Sequence, residues 1–318
     1  MKGFILQPDG KPAVEAGVGF AGDQHDLHIG DGQLVVERMN PNTAFTDSSG
    51  AFAVPWPNSA TALYVASGQG VANLNIAGVT NGMRIVLQPW AKVEGIMRLN
   101  NRPAPGAQIH LHNIGGDRFG WWEGRVFMTD TITDANGHFL FAHVLPGKCG
   151  LGRWMDAGHG TRSIGDDVLL TVAPGESTNI AWGGNGRPVT GVVELANPKN
   201  LPDDAAFVIF FRSRFQSFPK EPRMARRAFH DYEGLIGSDN TFRADDVPPG
   251  YYAVAVTGRT GHLGSARPFP QSVTVEVTNI DVPPLADPKK CEPFDIGRIK
   301  VSLEFPSETT ASQTPGAE

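Results

Sequence analysis

The sequence contains few of the features that indicate a metal centre, a disulfide framework or a membrane span. Its only cysteines, Cys149 and Cys291, lie far apart in the chain. This spacing fits neither a zinc-ligand pattern nor a dense disulfide framework, so we expect two unpaired, buried thiols. No apolar run reaches the length of about 18 residues that a transmembrane helix needs. The run that starts the chain is also too short for the apolar region of a signal peptide.

Charge is scarce as well, since only 19% of the residues are charged and the formal net charge is -6. Low charge disfavours coiled coils and long solvated helices. A mildly acidic chain lacks the basic field that nucleic-acid binding needs. The sequence has neither a Gly-x-Ser-x-Gly nucleophile elbow nor a Gly-x-x-x-x-Gly-Lys phosphate loop. We therefore expect no nucleic-acid partner and no cofactor.

What the sequence does contain is 38 glycines and 25 prolines, many of them at matching places in three similar segments. Each segment, called a repeat below, opens with a glycine in an apolar stretch, and a proline follows before a second apolar stretch. The matching residues are Gly3 and Pro12, Gly95 and Pro103, and Gly191 and Pro202. Two strands joined by a turn of Pro, Gly, Asn and Asp form a β-hairpin, so each repeat is predicted to begin with one.

A second landmark recurs in each repeat, where a short polar segment leads to a phenylalanine that starts a strand. The phenylalanines are Phe52, Phe139 and Phe242, and the residues two positions before them are Gly50, Gly137 and Asn240. Gly and Asn tolerate a positive φ best, which predicts a tight turn at these places. We expect each repeat to close on a final strand, at residues 83–87, 168–172 and 273–277.

Short strands between Gly and Pro turns, with almost no sustained helical periodicity, are typical of β-sandwiches. Each repeat has close to the roughly 100 residues of a seven-stranded sandwich. We therefore predict an all-β protein of three tandem sandwich domains, at residues 1–90, 91–186 and 187–305, the last with a C-terminal extension. Residues 306–318 contain no large apolar side chain and are predicted to be disordered.

Three sequence motifs carry a resemblance to a known family. They are Thr-Asp-Ala-Asn-Gly-His-Phe at residues 133–139, Leu-Pro-Gly at 145–147 and Val-Pro-Pro-Gly-Tyr at 247–251. With these motifs the repeats resemble the carboxypeptidase regulatory-like modules, which have a transthyretin-like (prealbumin-like) Greek-key sandwich. The resemblance implies non-catalytic accessory modules, commonly extracytoplasmic, strung together in large bacterial envelope proteins.

His110 and His112 are candidate metal ligands. They lie on one face of a predicted strand, because side chains alternate along a strand, and such a pair could bind a transition metal. The pair is similar to the His-x-His ligands of intradiol ring-cleaving dioxygenases. Those enzymes also need two tyrosines upstream, whereas only Tyr64 precedes the pair here. We therefore expect two solvent-facing strand histidines.

Two other groups of residues have metal-binding side chains. The loop of the first repeat contains His25 and His28 beside two aspartates, but nothing in the sequence makes these side chains converge. His230 and Glu233 are similar to the His-x-x-Glu zinc pair of carboxypeptidases. A catalytic zinc needs a third protein ligand and an open position for water, and His262 follows too closely for that family. No metal site is predicted.

An insertion in the second repeat contains the adjacent residues Trp121 and Trp122, flanked by arginines and carboxylates. In a strand only one of two neighbouring side chains can face the core. Exposed aromatic surface is therefore expected, and it could stack on a sugar ring or anchor a protein partner. The alternative is that one tryptophan caps the end of the sandwich.

An insertion in the third repeat is basic. Residues 212–227 have six basic side chains and one acidic side chain, and the candidates for binding are Arg223, Arg226 and Arg227. Such a patch could bind phosphate, an anionic glycan or an acidic protein domain. The alternative is a solvated loop balanced by nearby carboxylates.

These features favour a non-catalytic structural or interaction module whose partners are other protein domains or a surface glycan. One alternative is a carbohydrate-binding or adhesion module that uses Trp121 and Trp122, and another is a metal-dependent enzyme that uses His110 and His112. Met1 stands almost at the first predicted strand. We therefore expect the chain to be part of a longer envelope protein, in the periplasm or at the cell surface.

Overall fold

The fold was determined from a computed structural model, which describes residues 1–22, 27–35, 42–114, 126–156, 162–196, 206–213, 231–260, 271–287 and 290–303. These residues form strands and one short 3-10 helix, so the all-β prediction is confirmed. Within them, no helix has the length and apolarity to cross a bilayer.

The chain divides into two compact units. Unit 1 comprises Met1–Met97, Ala104–Gly152 and Asp167–Trp182, and unit 2 comprises Arg98–Pro103, Arg153–Asp166 and Gly183–Glu318. This division does not test the three predicted domains, whose boundaries stay a prediction. The predicted disordered tail, residues 306–318, lies outside the described residues.

The first repeat forms two main sheets with the strand orders β6-β1-β9 and β5-β2-β7-β8, and a small hairpin of β3 and β4. Its core is apolar and includes Ile5, Phe20 and Leu63. Its elements are β1 (Lys2–Leu6), β2 (Gly17–Gly22), β3 (His28–Gly30), β4 (Gln33–Val35), β5 (Thr43–Phe45), β6 (Ala51–Ala53), β7 (Ala60–Ser67), β8 (Gly70–Asn75), the 3-10 helix Ile76–Gly78 and β9 (Arg84–Val86).

The second repeat also forms two sheets. One has the order β11-β10-β14 with β17 paired to β10, and the other has the order β13-β12-β15-β16. The strands are β10 (Ala91–Leu99), β11 (Arg102–Pro103), β12 (Gln108–Asn113), β13 (Met128–Ile132), β14 (His138–Val144), β15 (Gly147–Asp156), β16 (Arg162–Val172) and β17 (Ser177–Gly183).

In the third repeat all seven described strands belong to one sheet, with the order β23-β22-β19-β20-β21-β18-β24. β20 pairs with β21, with Gly234 opposite Ala244, and this pairing joins β19, β22 and β23 to β18 and β24 in the same sheet. The strands are β18 (Arg187–Leu195), β19 (Ala206–Ser213), β20 (Asp231–Ile236), β21 (Thr241–Val247), β22 (Gly250–Thr260), β23 (Gln271–Val282) and β24 (Phe294–Val301). Its core includes Ile209, Phe211 and Val254.

The recurring glycine and phenylalanine face each other across the same strand pair in each repeat. Their register partners are Gly3 with Phe52, Gly95 with Phe139, and Gly191 with Phe242. A Cβ added at Gly191 would lie 2.8 Å from the Phe242 ring and 2.8 Å from the carbonyl oxygen of Gly297. The glycine therefore leaves room both for the phenylalanine ring and for the closing strand.

The turns before these phenylalanines have one geometry. Gly50, Gly137 and Asn240 have φ values of 76°, 77° and 62°, which confirms the predicted positive φ. In the second repeat the Asp134 carboxylate accepts hydrogen bonds from the N–H groups of Asn136 and His138, both at 2.8 Å. These bonds fix the turn because they replace solvent with internal partners for its backbone.

Residues 168–172 and 273–277 are strands, as predicted, but neither is the closing strand of its repeat. Residues 168–172 belong to β16, in the sheet of β15, and residues 273–277 belong to β23, which pairs with β22. The strands that pair with the opening strands are β17 and β24. Both are about half exposed and follow the predicted strands in the chain. Which strand closes a repeat depends on pairing between distant residues, which the local sequence pattern does not show.

Candidate functional site

Most of the predicted binding residues lie outside the described residues. This holds for Trp121, Trp122, Arg223, Arg226, Arg227, His25 and His230. Their predicted roles stay predictions. The described candidates are His28, His110, His112 and Glu233.

His110 and His112 lie on β12, but the prediction that they face solvent is wrong. Their exposed fractions are 3% and 5%, because both faces of this strand are buried. The two rings stack with their centroids 5.3 Å apart, and His110 Nδ1 lies 2.7 Å from Asp130 Oδ1 of β13. The His112 ring occupies the space beside Gly150, where a Cβ would lie 2.7 Å from its Cε1. The pair is part of the interior packing of unit 1.

The histidines of the first two repeats do not assemble into a metal centre in the described part of the chain. His28 is half-buried in β3. His143 Nδ1 lies 3.6 Å from Asp31 Oδ1, and its ring packs edge-on against Trp90 at 5.8 Å. No group of three or more His, Cys, Asp and Glu side chains converges among the described residues, so this part lacks the ligand set of a catalytic zinc.

Both cysteines are free thiols, as predicted. Cys149 is buried, and burial raises the pKa of its thiol to about 12. Cys291 is only partly buried, contrary to the expectation, and its Sγ donates a hydrogen bond of 2.6 Å to the carbonyl oxygen of Asn100. Neither thiol has the lowered pKa of a reactive cysteine, because burial is the leading influence on each and raises its pKa.

Asp246 forms a hydrogen-bonded junction in unit 2 that sequence reasoning missed. It is buried and has a φ of 60°. Its carboxylate accepts hydrogen bonds from the N–H groups of Gly184, Gly186 and Asn100, at 2.5, 3.0 and 3.1 Å. Its own N–H donates to Asn100 Oδ1 at 2.9 Å. The junction fixes backbone segments that lie far apart in sequence, which indicates a structural role.

A cleft of about 820 Å³, called the third-repeat cleft, lies over the outward face of β18, β20, β21 and β24 in unit 2. Thr241, Arg243 and Asp245 line it from β21, while the alternate residues of that strand are buried. The strand register places Thr190 opposite both Arg243 and Asp295. The remaining walls are Arg153, Trp154, Gly191, Val192, Glu233, Leu235, Gly237 and Phe242.

A cleft of about 610 Å³ in unit 1, called the second-repeat cleft, has the corresponding position in the second repeat. Gly95 and Phe139 stand where Gly191 and Phe242 stand in the third repeat. Leu140 follows Phe139, whereas Arg243 follows Phe242. The closing strand contributes Asn179 here and Asp295 in the third repeat. The two clefts therefore share a backbone frame and differ in their side chains.

Comparison with known proteins finds no matching family model and no matching curated protein. Solved structures do match. The Bacillus anthracis TIE protein is 12% identical with a TM-score of 0.22, over 95% of this chain and 50% of that chain, so this chain spans about half its length. GBS52, the minor pilin of Streptococcus agalactiae, is 10% identical with a TM-score of 0.24, over 71% of this chain and 100% of that chain.

A putative adhesin from Bacteroides ovatus is 8% identical with a TM-score of 0.23, over 70% of this chain and 96% of that chain. TM-scores of this size do not establish a shared arrangement of two chains. The function of this protein therefore has to follow from its own residues.

Proposed function

We propose that the chain is a non-catalytic structural or interaction module of three tandem transthyretin-like Greek-key sandwiches, part of a larger bacterial envelope protein at the periplasm or cell surface. The observation that carries this proposal is that the recurring residues shape the backbone. Gly95 and Gly191 leave room for the backbone of the closing strands, and Asp134 fixes a turn. Residues repeated for backbone geometry favour a scaffold.

The described side chains that could react support the same proposal. His110 is buried beside His112 and Asp130, and Cys149 is buried with a raised pKa. A general base or nucleophile needs access to a substrate and a suitable pKa. Buried groups that pack against each other lack this access, and the raised pKa of Cys149 also keeps its thiol protonated near neutral pH.

Metal analysis of the purified full chain tests this proposal against the metal-dependent alternative. We expect Fe, Zn and Cu to be substoichiometric, and His110→Ala to change stability without changing metal content. Stoichiometric metal that is lost in both His110→Ala and His112→Ala would contradict the proposal. Proteolysis of intact cells that express the protein tests its location: a surface module is cleaved from outside, and cleavage only after lysis would refute surface exposure.

A second candidate is a carbohydrate-binding or adhesion module that uses Trp121 and Trp122. The observation that favours it is that this insertion joins β12 to β13 and carries two adjacent tryptophans. A glycan array with Trp121→Ala and Trp122→Ala tests it, and signals that survive both substitutions would exclude this use of the tryptophans. A basic binding surface predicts that Arg226→Ala with Arg227→Ala abolishes capture of an acidic partner domain.

A further inference from the structure

The third-repeat cleft contains an arginine, Arg243, that its sheet does not need. The second repeat builds the same strand pair with Leu140 at the place of Arg243. An arginine is therefore not required for the sheet to form. The second-repeat cleft also has no tryptophan and no arginine among its described lining residues, whereas the third-repeat cleft has one tryptophan and two arginines. Side chains beyond the needs of the scaffold indicate a ligand.

The lining combines hydrogen-bond donors and acceptors with one large aromatic surface. The donors are the guanidinium groups of Arg153 and Arg243, the acceptors are the carboxylates of Glu233, Asp245 and Asp295, and the hydroxyls of Thr190 and Thr241 can do both. A sugar offers the matching chemistry, because its hydroxyls donate and accept while its C–H face packs on an indole. The small excess of carboxylates disfavours an anionic ligand.

Two polar groups of the cleft, on Arg243 and Asp245, are held by hydrogen bonds within the protein. Arg243 Nε donates to Asp245 Oδ1 at 2.8 Å, and Asn100 Nδ2 donates to the same oxygen at 2.8 Å. Yet the Arg243 side chain is 51% exposed, so part of its guanidinium faces the cleft or solvent. Groups fixed in place lose little freedom on binding, which favours affinity. The volume of the cleft falls within the range of about 300–1,000 Å³ that is usual for small-molecule sites.

We propose that the third-repeat cleft binds a neutral sugar, with Trp154 packed against the sugar ring and Arg243, Asp245 and Asp295 bonded to its hydroxyls. This inference rests on the interaction role proposed above and names its ligand class. The site is separate in sequence from Trp121 and Trp122, so the two can be tested independently.

Saturation-transfer NMR on the full chain tests the proposal directly. The probes are neutral hexoses, N-acetylhexosamines and their disaccharides, with glucuronic acid and inorganic phosphate as anionic comparisons. We expect saturation transfer to at least one neutral sugar and none to the anions. Absence of transfer to every neutral sugar at about 10 mM, a concentration above the weakest affinities of interest, would overturn the proposal. Preference for the anions would overturn it as well.

Variants then locate the site. Trp154→Ala is expected to weaken binding at least about tenfold. The double variant Arg243→Leu with Asp295→Asn places the second-repeat residue Leu at the position of Arg243 and removes the Asp295 carboxylate, and we expect the same loss. Because Arg243 and Asp295 are exposed, this variant should keep its fold, which circular dichroism would verify. Leu140→Ala in the other cleft is the matched control and should leave affinity unchanged.

Two outcomes separate this inference from the proposed function. Unchanged binding in both the Trp154 and the Arg243 variants would overturn the site, while leaving a scaffold role in place. Stoichiometric metal or measured turnover would instead refute the proposed function, whatever the sugar results show.

Discussion

The close approach of β17 to β10 gives the sharpest prediction for stability. Gly95→Ala would add a Cβ that overlaps the carbonyl oxygen of Ile180 and lies 2.9 Å from both its carbonyl carbon and its Cγ2. In a strand without such an obstacle, alanine is favoured over glycine by about 0.5–1 kcal/mol. Overpacking costs about 1–3 kcal/mol. Because the obstacle is backbone and cannot rotate away, we expect the upper part of that range, a net loss of about 2 kcal/mol.

Gly68→Ala is the matched control. Gly68 lies in the turn between β7 and β8, has no positive φ, and a Cβ there would meet nothing within 4 Å. We expect this variant to be neutral or more stable by about 0.4–1 kcal/mol, because alanine restricts the unfolded chain.

Urea unfolding followed by tryptophan fluorescence measures both variants, since Trp90 and Trp182 are buried in unit 1. With a urea dependence of about 2 kcal/mol per M, a loss of about 2 kcal/mol lowers the midpoint by about 1 M. If Gly95→Ala were as stable as Gly68→Ala, the inferred contact between these two strands would be refuted.

Three other predictions concern the turns and the thiols. Asn240→Ala should destabilise unit 2 by about 1–2 kcal/mol, since a positive φ is costly for alanine, while Asn240→Gly should not; equal thermal melts would contradict this. The carboxyl pKa values of Asp47, Asp134 and Asp239 are lowered by side-chain or backbone hydrogen bonds in their turns. These hydrogen bonds therefore stabilise the folded protein above the unfolded pKa, and the stabilisation is lost as pH falls through the lower folded pKa values. The urea midpoint should then drop below about pH 4. Replacing all three by Asn should flatten that drop, and an unchanged pH profile would exclude this cause. Cys149, with a pKa near 12, should resist thiol reagents at pH 8 in the native protein and react in urea; equally fast labelling in both states would refute its burial.

Local signals in the sequence were sufficient for the turns before the phenylalanines and for the class of fold. The predicted opening hairpins are wrong, because β1 and β2, and β10 and β12, lie in different sheets, and β18 and β19 are not neighbours in theirs. Gly137 and Asn240 predict a positive φ because few other residues adopt it, and no distant contact is needed for that inference. The closing strands were harder. β17 and β24 directly follow the predicted strands in the chain, and no local signal shows which strand pairs with the opening strand of its repeat.

Contacts between distant residues account for the errors at the candidate site. His110 and His112 look like surface residues of an amphipathic strand, and only the burial of both faces of β12 shows otherwise. Asp246 gives no local signal, because its partners Asn100 and Gly184 are remote in sequence. The alternation of Thr241, Arg243 and Asp245 does predict a polar strand face, but placing Trp154 beside it requires the structure.

The pairing of β20 with β21 also has a consequence for self-association. A strand whose backbone N–H and C=O groups are unpaired along one side can template the addition of another chain, which is a route to aggregation. In the third repeat the backbone groups of these two strands pair with each other. In the second repeat β13 is an edge strand of its sheet, and its last residue, Ile132, is 62% exposed. Edge-to-edge polymerisation of this protein would therefore be blocked at β20 and β21.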